Sequence, residues 1–331
     1  MATLATFAPT LADMATRMDP SGNIAQIIEI LNQTNAILED MPWVEGNLPT
    51  GHKTTIRSGL PQGTWRKLNY GVQPEKSTTV QIVDTTGMLE SYAEVDKDLV
   101  ELNGNSAAFR MSEDRAFIEG MNQTMARQLI YGDAAIDPEK ITGFAPRFSQ
   151  KSGAANSENI LDAGGTGSNN TSIWLVGWGA NTVHGIYPKA AQAGLRQEDL
   201  GRETLFDAQG GRYEGYRTHY QWKCGLTVRD WRYIVRICNI DVPSLTKNAS
   251  AGADLVDLLT QAVEIPPNLN GAKFVFYANR TILAFLRRQI TNKVASATLS
   301  VDQVGGKHVV SFDGIPMKKV DVILNTEARV V

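Results

Sequence analysis

Asp133, Asp137 and Glu139 crowd into GDAAIDPEK, just after the most helix-like segment of the chain. Paired carboxylates of this kind can relay protons or hold a Mg²⁺ ion. Asp and Pro are also common turn formers, so the same residues equally describe a tight turn closing a helix. A second candidate is KFVFYANRTILAFLRRQ (273–289), where an apolar run, an abrupt Asn-Arg and a helical pattern follow one another. Strand, turn and helix in that order can hold a phosphate on the first N–H groups of the helix. Such loops use glycine so that the backbone can close on the anion, and Ala278-Asn279-Arg280 has none. The stretch reads instead as framework. Phe274 to Tyr277 form a buried strand, Asn279 caps a helix, and Ile282, Phe285, Leu286 and Ile290 share one helix face.

Other chemistry-bearing residues are scattered. His52, His184, His219 and His308 lack the close spacings by which zinc is held. Cys224 and Cys238 sit in no reactive signature, and no nucleophile elbow occurs. The glycines of GGTGSNNTS and GWGANTVHG miss the dinucleotide spacing and read as turns. Arg229, Trp231, Arg232, Tyr233 and Arg236 interleave bases with aromatics, as single-strand binders do. On a strand, however, Trp231, Tyr233 and Val235 would pack on one face while Arg232 and Arg236 faced solvent on the other. Two readings with chemistry stay open: a cytoplasmic enzyme acting at Asp133, Asp137 and Asn279, and a nucleic-acid module gripping through Arg229, Arg232 and Arg236. No motif calls for a cofactor or a metal.

The elements that would have to position these residues are unusual in being extended. SGNIAQIIEILNQTNAILED offers Ser21 or Asn23 as a cap, then Ile24, Ile27, Ile28, Leu31 and Leu38 as a stripe, with Pro42 as a stop. A lone amphipathic helix amid loop-rich sequence must bury that stripe elsewhere. From His52 onward, Thr54–Ile56 and Thr78–Val83 read as strands around a segment punctuated by glycine and proline and carrying Trp65, Arg66, Lys67 and Tyr70. That describes a long projecting hairpin, and an isolated hairpin with a Trp and a Tyr needs a second surface to rest on. MLESYAEVDKDLVEL is a further strand region. The spacing then predicts a helix over 113–131, roughly 28 Å long, with Ser112 as cap, Gly132 as stop and Phe117, Met121, Met125 and Leu129 on its buried face. Beyond the glycine-rich 149–172 the chain turns β-rich, with a hairpin about Gly210-Gly211, a helix at ADLVDLLTQAVEI capped by Ser250, and a final strand pair about Asp313-Gly314. Helices and strands mix without a βαβ rhythm, so the class is α+β.

The net charge of −3 argues against a dedicated nucleic-acid binder. With 42% hydrophobic and 20% charged residues and no bilayer-length apolar run, the composition is that of a soluble protein with no membrane partner. The start lacks the basic end and apolar block of a secretory signal, which places both thiols, reduced and buried, in a cytoplasm.

Four stretches in order, RQLIYGDAAIDPEKITGFAPRF (127–148), SIWLVGWGANTVHGIYPKAAQAGL (172–195), KFVFYANRTILAFLRRQ (273–289) and FDGIPMKKVDVIL (312–324), resemble the major capsid proteins of short-tailed bacteriophages, with the Hong Kong-type capsid fold. The resemblance spans most of 45–327. It implies an N-terminal arm (1–52), an extended loop (53–83), a peripheral domain (84–149) with its spine helix at 113–131, a mainly axial domain (150–300), and C-terminal strands (301–331) returning to the peripheral domain. The function it implies is self-assembly into pentamers and hexamers of an icosahedral shell around double-stranded DNA. That shell would be part of the virion, assembled in the bacterial host cytoplasm. Implied partners are other copies of the chain, a cement or decoration protein, a scaffolding protein, the portal, and DNA touched weakly on the inner face. Trp65, Arg66, Lys67 and Tyr70 on the loop, and Ile27, Ile28 and Leu31 on the arm, are the expected inter-subunit contacts. Some such capsids are welded by Lys–Asn isopeptide bonds. Lys67 and Lys76 lie in the loop, but nothing specifies a partner, and solvated lysines are the expectation.

Overall fold

The computed structural model describes residues 8–10, 13, 33–101, 106–245, 252–292, 299–304 and 307–331. A short helix α1 (Ile37–Asp40) is followed by strands β1 (Trp43–Glu45), β2 (Gly51–Gly59) and β3 (Thr78–Asp96). The two strand regions expected after residue 78 are one continuous strand of 19 residues. Its first half pairs only with β2, with Gly51 opposite Thr85 and Ile56 opposite Val80. Its second half joins the body of the molecule. Helix α2 (Lys97–Glu101) then leads toward α3 (Ser106–Tyr131).

The long helix therefore starts earlier than the caps suggested. Ser112 lies inside it, donating its hydroxyl to the Phe109 carbonyl. Phe109, two turns before Phe117, is fully buried in a small core with Val95, Leu99 and Val100, and this burial carries the helix back past the apparent cap. At 26 residues it is about 39 Å long. Gly132 ends it as expected, its N–H donating to the Gln128 carbonyl at 2.9 Å.

After α4 (Phe144–Arg147) come β4 (Ile160–Asp162), β5 (Asn170–Trp178), β6 (Val183–Tyr187), β7 (Leu195–Phe206), β8 (Arg212–Val228) and β9 (Ile234–Asp241). The hairpin of β7 and β8 turns through Asp207–Gly211, where Gly210 has φ 81°. Helix α5 (Leu255–Glu264) is capped by Asp254, whose carboxylate accepts from the Val256 and Asp257 N–H groups. The expected cap, Ser250, lies outside the described residues. Strand β10 (Lys273–Ala278), α6 (Arg280–Asn292), β11 (Leu299–Val304), β12 (Lys307–Phe312) and β13 (Ile315–Lys319) complete the chain. Asp313 and Gly314, at φ 49° and 74°, form the two-residue turn between β12 and β13. That left-handed pair matches the twist of a tight hairpin.

Hydrogen bonding runs β11-β12-β13-β10-β5-β6-β8-β3-β2, with β1 on β6, β7 on β8, β9 on β5 and β4 on β9. Strand β5 is buried along its whole length because it serves two cores. Trp174, Val176 and Trp178 face Met121, Met125 and Leu129 of α3, with Phe144 and Tyr220. Ile173 and Leu175, on the alternate face, meet Leu255 and Leu259 of α5 and Ile282 and Leu286 of α6. A strand covered on both sides needs apolar residues at every position, which is what SIWLVGWG supplies.

Candidate assembly surfaces

The hairpin of β2 and β3 leaves the body and takes its apolar side chains with it. Every residue from 60 to 83 is exposed. Trp65 is 101% accessible, Leu68 85% and Tyr70 69%, and Leu60, Val80, Ile82 and Val83 are exposed beside them. Arg66 and Lys67 stand between the aromatics, and Lys76 is exposed on the returning limb. Local bonds shape the tip: the Gly63 N–H donates to Glu75 at 3.0 Å, and Tyr70 N–H to the Lys67 carbonyl through a turn in which Asn69 has φ 66°. Ser58 and Thr78 hydroxyls meet across the strands at 3.0 Å. None of these contacts covers an apolar surface. A two-stranded hairpin exposed on both faces is marginal in water.

The segment from residue 33 to Asp40 is anchored firmly. Asp40 is buried and accepts from Lys273 Nζ at 2.8 Å, Lys318 Nζ at 2.6 Å and the Tyr277 hydroxyl at 3.0 Å. Burial alone would raise its pKa; the two lysines and the tyrosine outweigh that and hold it below the ordinary carboxylate value. Tyr277 in turn accepts from Trp178 Nε1 at 2.7 Å. Asn35 bridges Val320, and the Thr34 N–H donates to Asp321 at 3.0 Å, so the chain enters across the end of β13. Ile37 is fully buried and Leu38 packs against the same core. Ile24, Ile27, Ile28 and Leu31, the rest of the expected stripe, lie outside the described residues.

At the other terminus a buried network clasps the tail. Glu327 accepts from Arg236 Nη2 at 3.0 Å, from the Tyr131 hydroxyl at 2.5 Å and from the Ser172 hydroxyl. Arg236 also donates to the Phe148 carbonyl at 2.8 Å and lies 4.9 Å over the Trp174 ring. Burial first, and then the Glu327 charge, push the Tyr131 hydroxyl far above its ordinary pKa, so it stays a donor. Asn239 holds the Val330 backbone through both its amide and its carbonyl. Sequence reasoning missed this clasp, since Glu327 in NTEARVV reads as a polar tail.

The residues singled out for chemistry are accounted for differently. Asp133 accepts from the Ala135 N–H within its own turn, and Asp137 pairs with Lys140 at 2.5 Å. Asn279 caps α6, accepting from the Ile282 N–H at 3.0 Å, while its amide donates to Thr171 and Asn325. Trp231–Tyr233 is a turn of 3-10 helix rather than strand, so the alternation expected there is not formed. Arg236 is buried instead of solvated, because the tail and Phe148 cover its face of β9. Arg232 is folded onto Asp230, and Arg229 reaches His52 Nε2 at 2.7 Å. No group of three metal-ligating side chains occurs among the described residues. Both cysteines are buried and free, burial pushing Cys224 up to about 12 and Cys238 to about 11, so neither is a ready nucleophile. No helix among the described residues is long and apolar enough to cross a membrane.

A family model described as major capsid protein GP7 matches residues 19–331. The chain belongs to that family. The molecule is similar to a chain in the structure of bacteriophage Epsilon15, at 41% identity over 100% of this chain and 99% of the other, with a TM-score of 0.80. It shares its fold with the capsid of bacteriophage JBD30 at a TM-score of 0.50, with 10% identity over 89% of this chain and 93% of the other. No curated protein matches it. The α+β, Hong Kong-type capsid fold expected from the sequence is thus the fold of this major capsid protein, and its role is structural, as a shell protein of a phage virion.

Proposed function

We propose that this capsid protein assembles into pentamers and hexamers of an icosahedral shell enclosing double-stranded DNA, with the β2–β3 hairpin as a principal contact between copies. The supporting observation is the hairpin itself: Leu60, Trp65, Leu68 and Tyr70 are exposed on a structure that its own chain leaves uncovered. Trp65, Arg66, Lys67 and Tyr70 are the loop contacts, and Ile27, Ile28 and Leu31 those of the arm. Each large apolar side chain buried between copies contributes about 1.5–3 kcal/mol. Closed symmetry repeats every such contact around a ring, so modest interfaces sum to a stable shell.

The two cores support a domain assignment. One core gathers α3, β3, β7 and β8 around Met121, Met125 and Tyr220, and the other gathers α5, α6, β12 and β13 around Leu259, Leu286 and Phe276, with β5, β9 and β10 contributing to both. In this reading residues 84–149 with the spine helix form the peripheral domain, 150–300 the mainly axial domain, and the C-terminal segment 301–331 returns to the peripheral domain, where Val320, Val322, Ile323 and Val330 join the core of α3. Residues 53–83 are the extended loop and residues 1–52 the arm. The protein has no enzymatic role in this reading; Asp133 and Asp137 close the spine helix. Assembly takes place in the bacterial host cytoplasm with a scaffolding protein and portal, a cement or decoration protein reinforces the shell, and DNA touches the inner face weakly.

Negative-stain microscopy with analytical ultracentrifugation on the expressed chain, alone and with co-expressed neighbouring genes, tests the proposal. Shells, tubes or rings of five or six subunits are expected. A monomer or dimer under every condition overturns it.

A further inference from the structure

Where the hairpin joins the body, a buried polar cluster sits astride the junction. Strand β3 changes partner there: Thr86 still pairs with Gly225 of β8, while Thr85 pairs with Gly51 of β2. The next cross-strand pair on the hairpin side is His52 with Asp84, both buried. Each is held by a cation from the body. Asp84 takes Arg147 of α4 at 2.7 Å, and that guanidinium also reaches the Leu226 carbonyl of β8 at 3.2 Å. His52 Nε2 lies 2.7 Å from Arg229 Nη2, just past the end of β8. His184 of β6, fully buried, meets the His52 ring edge-on with centroids 5.9 Å apart.

The chemistry of the His52 contact depends on one proton. Donors face both ring nitrogens, Arg229 Nη2 on Nε2 at 2.7 Å and the Asn47 N–H on Nδ1 at 3.3 Å. The neutral ring can accept from only one of them, and with Nε2 accepting from the shorter contact its proton sits on Nδ1 against the longer. Protonated imidazolium has no lone pair and bears a positive charge. The same 2.7 Å contact then sets two donors and two cations against each other, with His184 close behind. Among the described residues Asp84 is the carboxylate that favours the charged ring, with Oδ1 bonded to Arg147 and Oδ2 unpartnered. Asp230 is turned to Arg232, and Lys53 points outward as an exposed side chain. The cluster is also under-bonded as it stands: Thr227 Oγ1, Asp84 Oδ2 and Arg229 Nε are buried without a partner.

We propose that this root is an acid-released latch, in which protonation of His52, backed by His184, breaks the bond to Arg229 and frees the hairpin of residues 53–83 to swing about the Thr85–Thr86 junction. The direction of the titrations agrees. His52 is lowered from its ordinary value by burial and by Arg229, against the pull of Asp84, and His184 is lowered to about 4 by burial, Arg229 and His52. A depressed histidine stabilises the latched form fully above its ordinary value of 6.5 and ceases to as pH falls through the lowered one, so release sets in below 6.5.

Hydrogen exchange of the full chain, followed by mass spectrometry from about pH 7.5 to about pH 4.5 and corrected for intrinsic rates, reads the latch. Peptides covering 51–59 and 78–85 are expected to lose protection about tenfold on acidification, while those of β5 and β10 do not change. His52→Gln, whose amide oxygen can still accept from Arg229 but cannot titrate in this range, should keep the hairpin protected throughout. Should His52→Gln fail to fold, His184→Gln serves as the second variant and is expected to shift release to a different pH. Equal loss of protection in wild type and variant, or none in wild type, overturns the latch. The experiment reads the hairpin within one subunit, so its failure leaves the assembly proposal standing, and failure of assembly leaves the latch testable.

Discussion

The hairpin tip and the C-terminal clasp are both peripheral in sequence terms, yet they are built on opposite principles. At the clasp a charged pair, Arg236 and Glu327, is withdrawn from water and nearly every polar atom around it is matched by another from the same chain. At the tip, Trp65, Leu68 and Tyr70 stay in water, uncovered by the described residues. The clasp closes the subunit on itself, and the tip leaves an apolar surface open. Removing one partner from a buried pair leaves a stranded charge, whereas truncating an exposed side chain costs the subunit almost nothing. Substitutions in the two regions should therefore separate folding from assembly.

The largest effect is expected from Glu327→Ala. It strands the Arg236 guanidinium against Phe148 and Trp174, and should lower subunit stability by about 3–5 kcal/mol in urea denaturation. An equal loss from Arg236→Ala, and no further loss in the double variant, would tie the effect to the pair. Trp65→Ala comes next and acts on the other side of the comparison. Subunit stability should stay within about 0.5 kcal/mol, while assembly weakens by about 1.5–3 kcal/mol per contact, read as a rise in the concentration needed for shells. A folding defect of several kcal/mol would blur the distinction between the regions.

Asp40 sharpens it in a third place. Its pKa is lowered, so the clamp with Lys273 and Lys318 is fully present above the ordinary value of 3.8 and is lost as pH falls through the lowered one. Asp40→Asn should therefore reduce stability at neutral pH and flatten the acid limb of the stability curve, measured by thermal melts against pH. The smallest effect belongs to Asp133→Asn with Asp137→Asn. Both are turn residues on the surface, and stability and shell yield should each change by no more than about 0.5 kcal/mol in equivalent terms. A large drop in either would restore interest in the acidic cluster.

The hairpin could be read in the sequence because its signals are local: glycines and prolines between Thr-rich and Val-rich runs, with aromatics at the tip. The same is true of the β10–α6 unit, where Asn279 caps the helix as its position suggested. Strand β5 announced its double burial through an unbroken apolar run. What could not be read depends on what covers a face. Alternation along β9 separates Arg236 from Val235 but does not say that residues near 327 return to lie over the arginine. The start of α3 was masked by Ser112, Glu113 and Asp114, a convincing cap that yields to the burial of Phe109 one turn earlier. His52 and His184 are adjacent only because β2, β3, β8 and β6 stand in that order, and no spacing in the chain encodes such an arrangement.

The central claim is that the hairpin tip finds its cover on another copy of the chain. Hydroxyl-radical footprinting of Trp65 and Tyr70, in free subunits and in assembled particles, tests it at those side chains. Both should be readily oxidised in the subunit and strongly protected after assembly, while Trp174, already buried, changes in neither state. Equal oxidation of Trp65 and Tyr70 before and after assembly would contradict the account.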